Sequence, residues 1–66
     1  MRISLNGEKT DSGGAKTIDD LVRGLQVAPA TVLIEHNGVA LHRREWPQRQ
    51  LAEGDQIEIV RVVAGG

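Results

Sequence analysis

The sequence predicts an α+β domain in which one helix packs across one face of a sheet of four to five strands. Three observations predict it: two Asn-Gly pairs between strand-like runs, one stretch of helical apolar spacing between them, and a β-branched run near the end. Met1 to Asn6 alternates, with Ile3 and Leu5 on one face and Arg2 and Ser4 on the other, which is the period of a half-buried strand. Asn6-Gly7 supplies the positive-φ pair of a two-residue hairpin turn, so the chain returns through Glu8 to Asp11. Ser12-Gly13-Gly14 is a loop. Thr17 then caps a helix whose first turn carries Asp19 and Asp20, suited to the positive end of the helix dipole. Ile18, Leu21, Val22 and Leu25 follow at i, i+3, i+4 and i+7 and form one apolar stripe, expected to lie across the hairpin. Pro29 marks the latest end of this helix.

Thr31 to Asn37 is β-branched and apolar enough for the next strand, and Asn37-Gly38 turns it into a short partner, Val39 to Leu41. Arg43 to Gln50 contains Trp46-Pro47 and is too interrupted for a full helix, so a turn or 3₁₀ segment is expected. Gly54-Asp55 turns into the last strand, Ile57 to Val63. With a helix on one face only, strand parity separates buried from open-face side chains. Ile57 and Ile59 fit the core, while Glu58, Val60 and Val62 project to the other side. Isolated surface valines are common. Beside the end of the chain, however, Val60 and Val62 form a modest apolar patch, read here as a docking surface.

Size and composition restrict the function classes. A chain of 66 residues makes one small domain, which buries only about 60% of its unfolded surface. That leaves no room for a deep cleft and favours a carrier, binding or regulatory module over an independent enzyme. The absence of cysteine excludes disulfides, Cys-based zinc sites and an in-chain thiol nucleophile. Eight Lys plus Arg against nine Asp plus Glu give a net charge of −1, without the basic balance of a nucleic-acid binder. The first residues lack a signal-peptide pattern and no apolar run could span a bilayer, so the cytoplasm is expected.

Gly65 and Gly66 follow the last strand-like run with only Ala64 after Val63. Glycine has no Cβ, so Ala64-Gly65-Gly66 can thread a channel that larger side chains would block. Three extended residues carry a terminal carboxylate about 10 Å beyond the folded body. A Gly-Gly end can also be a frayed terminus. The expected division is a domain over residues 1–63 and a flexible carrier tail over 64–66.

The element order, together with Asn37-Gly38, Arg43 followed by Glu45-Trp46, Leu51 ahead of Gly54-Asp55, and Val63-Ala64-Gly65-Gly66, resembles one family over essentially the whole chain. It resembles the ThiS family of ubiquitin-like β-grasp proteins, the sulfur carriers of thiamin thiazole biosynthesis. There are two departures: His42 stands where many members have proline, and His36 takes an inward strand position, by parity with Val32 and Ile34, where an apolar residue is more usual.

The resemblance implies a mixed sheet and a protein cosubstrate that is not itself an enzyme. A ThiF-type, E1-like adenylyltransferase uses ATP to place AMP on the Gly66 carboxylate. Sulfur from a protein persulfide that begins on a cysteine desulfurase then leaves a Gly66 thiocarboxylate for thiazole synthase. Ala64 and Gly65 form the tail, and Arg43 is the basic residue that the family motif supports as partner-facing, beside the Val60 and Val62 docking patch read from strand parity. The chain itself binds no cofactor, metal, nucleic acid or membrane, and is a monomer when alone. Rival readings are the small-subunit sulfur carrier of molybdopterin synthase, a ubiquitin-like modifier, and a non-covalent β-grasp interaction module.

The remaining constellations have plainer readings. Lys16-Thr17 after Gly13-Gly14 has Ala15 where a phosphate loop needs glycine, so it reads as a loop entering a helix cap. His36 and His42 are not spaced as ligands on one turn. Arg43, Arg44 and Arg49 are the only basic concentration and read first as solvated surface, while Trp46, the sole aromatic, reads as a core anchor.

Overall fold

Asn-Gly pairs favour positive φ at both central turn residues, and both pairs adopt it: Asn6 and Gly7 at φ 51° and 85°, Asn37 and Gly38 at 51° and 84°. In the computed structural model, which describes residues 1–62, these turns join β1 (Arg2–Leu5) to β2 (Glu8–Asp11) and β3 (Val32–His36) to β4 (Val39–Leu41). The last strand, β5 (Gln56–Arg61), enters between the hairpins and gives the order β2-β1-β5-β3-β4. It runs parallel to β1 and antiparallel to β3, so the sheet is mixed.

The helix α1 (Ile18–Leu25) is capped as its sequence predicts. Thr17 Oγ1 accepts the Asp20 N–H at 3.1 Å, while Asp20 Oδ2 accepts the Thr17 and Lys16 N–H groups at 3.2 and 3.0 Å. A reciprocal arrangement of this kind satisfies donors that a helix start leaves open. At the other end Gln26 takes the left-handed conformation, φ 58°, and stops the helix before Pro29 could. Leu25 is consequently the last helical residue and remains 38% exposed, so the apolar stripe is buried only at Ile18, Leu21 and Val22.

These three pack with Ile3 of β1, Val32 and Ile34 of β3, Leu41 of β4, Ile57 of β5 and Leu51 from the segment before β5. Trp46, 2% exposed, closes the core from a 3₁₀ segment spanning Arg43–Gln48, as expected for an anchor under the turn. A second 3₁₀ turn, Pro29–Thr31, leads into β3. No helix among the described residues is long and apolar enough to cross a membrane.

Candidate functional site

The open face of the sheet follows from strand parity. In β5 Ile57 is buried and Ile59 half-buried, whereas Glu58 and Val60 are exposed, as is Val62 just beyond the strand. In β3 Val32, Ile34 and His36 face inward, which leaves Leu33 and Glu35 outward. The antiparallel register sets Leu33 directly opposite Val60. Leu33 is 60% exposed, Val60 53% and Val62 45%, so these side chains form an apolar strip toward the end of β5. Leu33 belongs to this strip although the sequence reading did not single it out; the parity of Val32, Ile34 and His36 was the signal that could have found it.

The end of this strip is tied down. Val62 N–H donates to the Thr31 carbonyl at 2.7 Å, and the Thr31 hydroxyl donates to the Ala28 carbonyl at 2.6 Å. Pro29 begins the 3₁₀ turn that holds Thr31, so a conformationally restricted segment fixes the last described backbone hydrogen bond. Ala64, Gly65 and Gly66, and the division at residue 63, lie outside the described residues. Arg43 is exposed at the start of its 3₁₀ segment, beyond β4 and two strands away from β5. The structure therefore brings Val60 and Val62 together with Leu33, while Arg43 stands on a separate part of the surface.

A second cluster, which the sequence reading did not assemble, lies behind β3. His36, 6% exposed, and Asp55, 8% exposed, meet at 2.7 Å between Nε2 and Oδ2, while Arg49 Nε donates to His36 Nδ1 at 3.0 Å. Because Nδ1 accepts from Arg49, Nε2 carries the proton and donates to Asp55. Asp55 also accepts from the Ala52 N–H at 2.8 Å and from Asn37 Nδ2 at 3.0 Å. Burial works against ionisation of this carboxyl and is the largest single influence. The hydrogen bonds from Asn37, His36 and Ala52 together outweigh it and hold the group below its ordinary value. With both imidazole nitrogens occupied, His36 has none left for proton transfer to a substrate. The cluster is a structural tie between β3 and the segment leading into β5.

The loop before α1 is equally committed. Gly13 N–H donates to Asp11 Oδ1 at 2.7 Å, and the Lys16 and Thr17 N–H groups point at Asp20. A phosphate there would meet carboxylates where a phosphate loop offers free donors, which agrees with a plain helix cap. Among the described residues no group of three or more His, Cys, Asp or Glu side chains could hold a metal ion.

An α1-covered mixed sheet is the fold that the sequence resemblance implied, and the exposed apolar strip at the end of its central strand is the patch that strand parity predicted. The family model described as the ThiS family matches residues 3–66. The chain belongs to the ThiS family. Among relatives of this ThiS-family chain, the sulfur carrier protein ThiS of Bacillus subtilis is 34% identical over 68 residues, covering 97% of this chain and 98% of the relative. A thiazole synthase of Magnetococcus marinus is 38% identical over 66 residues, which cover all of this chain and 20% of that protein. The chain thus spans about a fifth of the length of the thiazole synthases it matches. The crystal structure of the thiamine biosynthesis protein ThiS from Geobacter metallireducens superposes with a TM-score of 0.81 at 30% identity, with full coverage of both chains. The ubiquitin-like β-grasp fold is therefore shared in sequence and in shape.

Proposed function

We propose that this ThiS-family chain is a sulfur carrier for thiamin thiazole formation, with residues 1–63 as its folded domain and Ala64-Gly65-Gly66 as the carrier tail. The observation that carries this reading is the family match, which runs through Gly66. Supporting it, the exposed Leu33, Val60 and Val62 give an enzyme an apolar surface toward the end of β5.

A carboxylate is a poor electrophile, so it must be activated. A ThiF-type adenylyltransferase joins the Gly66 carboxylate to AMP from ATP and releases pyrophosphate. Persulfide sulfur originating on a cysteine desulfurase then bonds to the Gly66 carbonyl carbon as the bond to AMP breaks. Cleavage of the remaining S–S bond by a thiol supplies the electron pair that leaves a Gly66 thiocarboxylate. Its charge on polarisable sulfur makes it a nucleophile, and the folded domain positions it on thiazole synthase. Val60 and Val62 contact these partners with Leu33, and Arg43 supplies a separate contact. ATP is consumed by the activating enzyme, and the cytoplasm is the compartment that fits this chemistry. The names of the thiazole synthase relatives favour this acceptor over molybdopterin synthase.

Intact-mass measurement after incubation with the adenylyltransferase, ATP and a persulfide donor tests the reading. Replacement of one oxygen by sulfur at Gly66 is expected, and deletion of Gly66 should abolish it. Conjugates to other proteins would favour a modifier, and no mass change with a competent activating enzyme would sink the proposal.

A further inference from the structure

The two Asn-Gly turns are alike in backbone and in a second respect: each asparagine uses its carboxamide to hold the β5 segment. Asn6 Oδ1 accepts the Ile59 N–H at 2.7 Å and its Nδ2 donates to the Ile59 carbonyl at 3.2 Å. Asn37 Oδ1 accepts the Gln56 N–H at 2.8 Å and its Nδ2 donates to Asp55 Oδ1 at 3.0 Å. Asn-Gly is also a chemically labile pair, because glycine carries no side chain to shield its backbone nitrogen. That nitrogen, losing its proton to solvent base, can attack the asparagine Cγ. A C–N bond forms, the bond from Cγ to Nδ2 breaks, and ammonia leaves. Water then opens the resulting succinimide at either carbonyl, giving aspartate or isoaspartate. The carboxamide must first turn toward the glycine, so hydrogen bonds that hold Oδ1 and Nδ2 elsewhere oppose the reaction.

We propose that Asn37 is a latent deamidation site, held inert in the folded protein by its paired hydrogen bonds to Gln56 and Asp55. The product would damage the fold at this position in particular. It replaces Nδ2 by a carboxylate oxygen facing Asp55 Oδ1 across the same 3.0 Å, while the His36 and Ala52 donors are already committed to Asp55 Oδ2. Like charges at that separation repel in a part-buried setting. At Asn6 the same conversion meets one backbone carbonyl on an exposed turn. This inference is independent of the sulfur-carrier reading.

Asp55→Asn tests the restraint. Two donors converge on the Oδ2 position, so the new amide oxygen takes that place and its NH₂ faces Asn37 Nδ2, donor against donor. Full-length wild type and variant are held at mildly alkaline pH, and peptide mapping follows acid formation at residues 6 and 37, with the urea-denatured chain as reference. Both sites in wild type should convert more slowly than in the denatured chain. In the variant, conversion at residue 37 should accelerate about tenfold, the factor that a single hydrogen bond to a charged acceptor supplies, with Asn6 unchanged. Equal acceleration at both sites would show that global opening sets the rate, and no acceleration at residue 37 would show that the restraint is irrelevant. Either result overturns the proposal. Asn37→Asp should also lower the melting temperature more than Asn6→Asp, and equal losses would sink the charge argument.

Discussion

Replacing Asp55 by alanine removes one carboxylate that accepts from three partners: His36 Nε2 at 2.7 Å, the Ala52 N–H at 2.8 Å and Asn37 Nδ2 at 3.0 Å. Hydrogen bonds to charged groups contribute about 1.5–3 kcal/mol each, but bonds sharing one acceptor are not additive. Leaving the buried, neutral His36 donor without an acceptor, and the Ala52 N–H to solvent, sets the expected loss at about 2–3 kcal/mol, the cost of an unsatisfied buried donor. A single core of this size supplies about 3–5 kcal/mol in total, so Asp55→Ala should be left only marginally stable at room temperature. Asp55→Asn keeps an oxygen for two of the three donors and should lose about 1–2 kcal/mol. Urea denaturation followed by far-ultraviolet circular dichroism measures both. The acid limb gives a second readout, because the Asp55 carboxyl lies below its ordinary 3.8 in the folded state. A depressed carboxyl contributes stability above its unfolded pKa and loses it as pH falls through the folded value. Wild type should therefore weaken below about pH 4, and the asparagine variant should lack that part of the decline. An alanine variant within about 0.5 kcal/mol of wild type would refute this account of the cluster.

Leu33→Glu and Val60→Glu should leave stability within about 0.5 kcal/mol of wild type, yet raise the KM of the activating enzyme for the carrier about tenfold, as expected at a buried interface centre; steady-state pyrophosphate release measures this. Val62→Pro removes the N–H that bonds Thr31. It should cost about 1 kcal/mol and slow thiocarboxylate formation more than Val62→Ala does, as followed by intact mass. Glu35 and Glu58 are direct cross-strand partners on the exposed face. Glu58→Lys should accordingly stabilise the domain by about 0.2–1 kcal/mol in thermal unfolding, with the gain shrinking at high salt.

Much of the site was legible because its governing rules are local. Alternation in the last strand placed Val60 and Val62 outward, and the same parity applied to Val32, Ile34 and His36 would have placed Leu33 outward too. Proximity was not legible. Arg43 is separated from Val60 and Val62 by two strands, a consequence of β3 pairing with both β4 and β5. Gly66, the carbon that matters most to the proposed chemistry, was chosen by composition and resemblance and lies beyond the described residues.

The sequence by itself determined the elements: Asn-Gly turns, the Thr17 cap and the apolar stripe of α1 each follow from interactions within a few residues. Tertiary structure alone decided that β5 runs parallel to β1 in the centre of the sheet. It also brought His36 to Asp55 and Arg49, 19 and 13 residues away, and placed Asn6 against Ile59 across 53. The physical reason is that turn and cap preferences act through a few neighbouring dihedrals. Register between distant segments is set only when the whole apolar face closes, and the hydrogen-bonding partners of buried polar groups are fixed at that moment.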